Sequence, residues 1–170
     1  MGIQIPYSAF RATNVTATQP VGGQVLFPDE VFDLNDEYDE TTSTFSPNQG
    51  GVYLIVASVL FEKNPEVALT DYVVEVDVLV NGADPEKAFA DNEYVPESLS
   101  AEVVAVKASS IVQLEAGDEV TVSAFASVDG EILNNPYGTL FEAARFPSPI
   151  VNDNSSTLNV SNKQLPLIQS

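Results

Sequence analysis

The reactive groups of this chain are almost all carboxylates: Asp and Glu total 25 against six Lys and Arg, and its 170 residues include no His and no Cys. Without imidazole or thiol, Ser–His–Asp and Cys–His nucleophilic catalysis, thiol redox chemistry and the usual zinc sites are excluded, and no disulfide can form. What remains is oxygen chemistry, either carboxylate-pair hydrolysis or a hard cation held by oxygens. Two stretches concentrate the carboxylates. One holds Asp29, Glu30, Asp33, Asp36, Glu37, Asp39 and Glu40 without EF-hand spacing. The other holds Asp84, Glu86, Asp91, Glu93 and Glu97 in the long connection before Glu102. Density alone places no two of the 25 carboxylates at catalytic separation, so no catalytic residue is assigned and no enzyme is expected.

The charge balance narrows the partners. A net charge of −19 repels phosphate backbones and anionic headgroups, which argues against nucleic acid. The longest apolar stretch, 52–61, is about half of what a bilayer requires, so no membrane insertion is expected, and the start of the chain does not read as a signal peptide. Three Asn-x-Ser/Thr patterns, at Asn14, Asn154 and Asn159, are formal glycan acceptors.

The elements that must position these groups read as strands. Tyr72, Val74, Val76, Val78 and Val80 alternate with Asp71, Glu75 and Asp77 up to an Asn81-Gly82 turn, and Val120, Val122, Ala124 and Ala126 alternate in the same way with polar residues. Segment 52–61 differs, being apolar at both parities: Tyr53, Ile55, Val59 and Phe61 fall on one face, and Val52, Leu54, Val56 and Leu60 on the other. An antiparallel strand of that kind is buried on both sides; one side faces the core, and the other needs a partner surface. Further strands are expected over 8–16, 23–27, 102–114 and 139–146, and no window carries a helical apolar period. The expected fold is all-β, a jelly-roll sandwich of about ten antiparallel strands spanning 7–148, with an N-terminal lead over 1–6 and a polar tail over 149–170.

One spacing is specific. Phe27, Asp33, Tyr38, Phe45 and Gly51-Val52-Tyr53, followed by Leu114-x-x-Gly117-Asp118-x-Val120 and by Thr139-x-Phe141-x-Ala143, resembles the globular head of complement component one, subcomponent q, a jelly roll shared with the tumour-necrosis-factor superfamily. The chain departs from that pattern at Ile55 and Ala57, where the family carries aromatics, and at Ala143, where it carries Gly. The lack of Cys and the run Phe141-Glu142-Ala143-Ala144-Arg145-Phe146 are similar to bacterial members that cap collagen-like filaments on spores and cell surfaces.

That resemblance implies a non-enzymatic, extracellular homotrimer that caps a surface or spore filament and binds a surface protein or glycan. The alternatives are a purely structural trimerisation cap and a soluble cytokine-like receptor ligand. It gives Phe27, Asp33, Tyr38, Phe45, Gly51, Tyr53, Gly117, Asp118 and Phe141 structural roles. It also selects three-fold symmetry for covering Val52, Leu54 and Val56, and makes the first and last strands neighbours, which brings Arg11 and Arg145 forward as interface donors. Calcium-binding members place acidic loop residues near the three-fold apex, so Asp84, Glu86, Asp91 and Glu93 are the expected ligands for Ca2+, which suits an all-oxygen donor set.

Overall fold

A computed structural model describes residues 7–147 apart from 83, 85, 100 and 101; the expected N-terminal lead and the whole of the expected C-terminal tail lie outside the described residues. Thirteen strands form two antiparallel sheets. In the first, β2 (Gln19–Pro20), β12 (Gly130–Ile132), β7 (Gly51–Lys63), β13 (Leu140–Arg145), β1 (Ala9–Thr13) and β4 (Asp29–Asp33) follow in order, and β10 (Val103–Leu114) runs along β7. In the second, β5 (Tyr38–Asp39), β6 (Thr44–Phe45), β11 (Val120–Ala126), β8 (Tyr72–Val80) and β9 (Phe89–Val95) follow in order, with β3 (Gly23–Gln24) on β11. The result is the expected jelly-roll sandwich. First and last strands are neighbours, with Ala9 opposite Ala144, Arg11 opposite Glu142 and Thr13 opposite Leu140.

The alternation read from the sequence sets the register. The even residues of β8 are buried and the odd ones half-exposed, as a sheet with one solvated face requires. Asn81 and Gly82 take φ values of 50° and 85°, the left-handed pair of a tight turn. Between the sheets lie Phe10, Phe27, Phe45, Tyr53, Phe61 and Phe141, each no more than 1% exposed. Phe10 is the hub: its ring stacks on Tyr38 at 4.6 Å and Phe45 at 4.8 Å and meets Phe141 edge-on at 4.9 Å.

One expectation shifts. The acidic stretch before Glu102, read as one long connection, contains strand β9, with Val73 opposite Tyr94 and Glu75 opposite Asn92. Asp91, Asn92 and Glu93 are types depleted in strands and tolerated at a sheet edge, so the composition hides it. The acidic run 29–40 contributes β4 and β5.

Candidate functional site

The residues of the family-like spacing hold the fold. Asp33 closes the turn after β4: its Oδ2 accepts the N–H of Glu37 at 2.6 Å and of Tyr38 at 2.7 Å. Tyr38 donates its hydroxyl to the carbonyl of Phe27 at 2.8 Å, and burial pushes its pKa up. Tyr53 donates to the carbonyl of Gln49 at 2.8 Å. Gly117 takes φ 86°, a conformation that favours glycine, and delivers Asp118 into a network. There Asp118 accepts from Lys87 Nζ at 2.7 Å, Asn81 Nδ2 at 2.8 Å and the N–H of Glu115 at 2.9 Å. Desolvation raises its pKa, but those donors together outweigh it and hold the carboxyl below its usual range. Lys87 is raised in turn, chiefly by its bond to Asp118. Two turns distant in sequence are thereby tied together.

Arg145 does not share a face with Arg11. It lies opposite Tyr53, at the inward parity of Phe141 and Ala143, and donates from Nη2 to the carbonyl of Gly50 at 3.1 Å. A Cβ on Gly51 would come within 2.5 Å of its Nε. This is the physical reason for glycine where β7 begins: the side chain it must not obstruct is Arg145.

The acidic stretches separate. Glu30, Asp36, Tyr38, Asp39, Glu40 and Glu119 line an open cavity of about 890 Å3. Glu30 is raised there by desolvation and by Asp33, Glu40 and Asp36, whereas Asp39 is lowered by hydrogen bonds from Thr41. Glu37 also lines this cavity but is buried, accepting from Ser8 Oγ, the N–H of Asn48 at 2.6 Å and Asn35 Nδ2 at 3.1 Å. Of the expected calcium ligands, Asp91 and Glu93 share one face of β9, while Asp84 accepts the N–H of Glu86 at 3.0 Å in the preceding loop. Among the described residues no three carboxylates converge on a point where an ion could sit.

The sandwich presents two outer faces. On the second sheet, Glu75, Asp77, Thr121, Ser123 and Asn92 point outward together with Val73, Leu79 and the exposed rings of Phe125 and Tyr94. On the first sheet the outward residues of β10, β7, β13 and β1 fall in rows across the strands. Ile111, Leu54, Ala144 and Ala9 form one row. Ser109, Val56, Glu142 and Arg11 form the next, extended by Phe32 on β4. Val56 is 9% exposed, whereas Leu54 is 37%, Phe32 42% and Ile111 63% exposed. Val52, Leu54 and Val56 thus do share the outward face that the sequence assigned them, but Val56 is nearly covered, and Ile111 and Phe32 add exposed apolar surface beside Leu54. Sequence reasoning missed those two, although Ile111 is outward by the alternation of β10.

Asn14 is 1% exposed, with its amide donating to the carbonyl of Ala17 at 2.8 Å and its Oδ1 accepting from Thr16 at 3.1 Å. Its acceptor pattern is consumed by a turn; Asn154 and Asn159 lie outside the described residues. No described helix is long and apolar enough to cross a membrane.

No protein-family model matches the sequence, and no curated protein matches it. Solved structures do match in fold. Murine APRIL at pH 5.0 is 16% identical with a TM-score of 0.58, the match covering 83% of this chain and all of that one. Eiger TNF from S. frugiperda is 12% identical with a TM-score of 0.60, over 90% and 99% of the two chains. The globular domain of zebrafish complement 1qA protein is 21% identical with a TM-score of 0.53, over 82% and 94%. The chain shares their jelly-roll fold.

Proposed function

We propose that this chain is a non-enzymatic head domain that assembles as a homotrimer through the outer face of the β10–β7–β13–β1 sheet and binds a surface protein or glycan on the assembled head. The observation that carries the reading is the unbroken apolar row on that face, with Leu54, Phe32 and Ile111 exposed beside Val56, where the outer face of the second sheet intersperses Phe125 and Tyr94 with Glu75, Asp77, Thr121, Ser123 and Asn92. Exposed apolar side chains set side by side on one face mark an interaction surface, and burying them contributes about 25 cal/mol per Å2 to assembly. Three-fold symmetry comes from the resemblance to complement-q-like and tumour-necrosis-factor-like heads, and the shared fold supports it. The same resemblance carries the further reading of an extracellular cap on a collagen-like cell-surface or spore filament.

A calcium ion in such an assembly would draw carboxylates from more than one copy, with Asp91 and Glu93 the pair that one copy presents together. Thermal unfolding in millimolar calcium against chelator, at matched ionic strength, tests this: a higher midpoint with calcium is expected, and superimposed curves remove the metal. The head itself is tested by screening the wild type and the interface variant Leu54→Glu against glycans and purified surface proteins. Binding by the wild type alone supports an assembled ligand-binding head. A wild type that assembles and binds nothing leaves the purely structural cap.

A further inference from the structure

The face on which the proposed assembly rests is not wholly apolar, and its charges are unusually arranged. The outward residues of β10, β7, β13 and β1 include four charged side chains, Lys107, Glu62, Glu142 and Arg11. Two cations and two carboxylates sum to zero over these four strands, with Glu131 of β12 beside Glu62 at the margin, in a chain whose net charge is −19. The outward residues of β8, β9 and β11 carry Glu75 and Asp77 and no cation. Like-charged molecules that must meet do so most readily through their neutral surface, and a basic partner would be drawn to any other one. The charge pattern therefore favours a second copy of this chain as the occupant.

Arg11 and Glu142 sit directly opposite each other in the middle of that face. Their approach is loose: Nε to Oε2 is 3.8 Å, with the side chains 38% and 36% exposed. Neither group makes a hydrogen bond to any other described side chain or backbone group. A guanidinium has five donors and a carboxylate about four acceptor sites, so this contact leaves most of them to water. When a second copy covers the face the water leaves, and a charge buried without partners is strongly unfavourable.

We propose that Arg11 of one copy bonds Glu142 of its neighbour across the assembly interface, so that the pair acts as the self-recognition key that admits only like copies. This rests on assembly through the first sheet, and it assigns the specificity of that contact to two residues.

The test is a charge swap. The chain carrying both R11E and E142R keeps an opposite-charge pair within each copy and between identical copies, but it sets like charges against wild type. Wild-type and swapped chains, differently tagged, are refolded together, and the assemblies are sorted by native mass spectrometry. The expected result is two self-sorted populations, with mixed species depleted at least tenfold below the statistical proportions. Statistical mixing overturns the key while leaving assembly intact; a monomeric wild type overturns assembly and the key with it. Should the swapped chain not fold, R11Q and E142Q serve instead. Each is expected to weaken self-assembly at least tenfold, with little further loss when combined, and unchanged self-assembly overturns the proposal.

Discussion

Strands β7 and β8 lie in opposite sheets and share one core, yet their outward residues differ in kind. On β8 these are Val73, Glu75, Asp77 and Leu79, flanked by Thr121, Ser123, Phe125, Asn92 and Tyr94. On β7 they are Val52, Leu54, Val56, Ser58 and Leu60, with Glu62 at the end of the strand, flanked by Ile111, Ala144 and Lys107. The inward residues of β7 from Tyr53 to Phe61 and those of β8 from Tyr72 to Val80 are alike apolar and buried. The sandwich therefore does not need the outward apolar residues of β7 for its own core. An outer strand face with five consecutive uncharged outward residues, where its counterpart carries Glu75 and Asp77, is what the proposed assembly through the first sheet would cover.

The largest expected effect comes from breaking that difference. Leu54→Glu places a carboxylate in the apolar row and is expected to weaken assembly by two orders of magnitude or more, read as a fall in molar mass on a sizing column. The matched change Phe125→Glu on the other sheet leaves the mass unchanged. If both substitutions dissociate the protein, the two faces are not distinct.

A core substitution separates folding from assembly. Phe10→Ala removes the ring that meets Tyr38, Phe45 and Phe141, and a loss of about 3–5 kcal/mol is expected in denaturant unfolding. A loss below about 1 kcal/mol would mean that the aromatic hub is not what holds the sheets together.

Asp118→Asn is expected to cost about 2–3 kcal/mol, because it leaves Lys87 without its charged partner. The pH dependence follows from the directions of shift. Asp118 is held below its unfolded value, so its contribution is full above about pH 4 and is lost as the pH falls through the lowered value. Lys87 is raised, so its contribution is present below about pH 10.4 and is lost as the pH rises through the raised value. The gap in melting temperature between wild type and D118N should therefore be widest near neutrality and narrow on both sides; a gap independent of pH contradicts the network.

The smallest effect is on the polar face. Asp77, and then desolvation, raise the pKa of Glu75, so its charge is mildly unfavourable in the folded state. Glu75→Gln is expected to raise stability by no more than about 0.5 kcal/mol and to leave the mass unchanged. A clear loss of stability would show that this face has a partner of its own.

These contrasts were partly legible in the sequence. The double apolar parity of 52–61 and the alternation of 72–80 required only counting, and the Phe27-to-Tyr53 spacing held the jelly roll. The resemblance pairs Arg145 with Arg11 as an interface donor; counting from Phe141 puts it on the inward parity, but the room that Gly51 leaves for it depends on the close approach of β7 and β13. Strand β9 was hidden by its acidic composition. Ile111 and Phe32 gain their meaning from register with Leu54 and Arg11 across strands far apart in sequence, which periodicity within a single segment does not carry. The burial of Asn14 is equally tertiary.

The most direct measurement is the molar mass of the wild-type protein by light scattering at micromolar concentration. The account predicts three times the chain mass of 18.2 kDa. A mass near that of one chain would contradict it, because the apolar face of the first sheet would then be facing water.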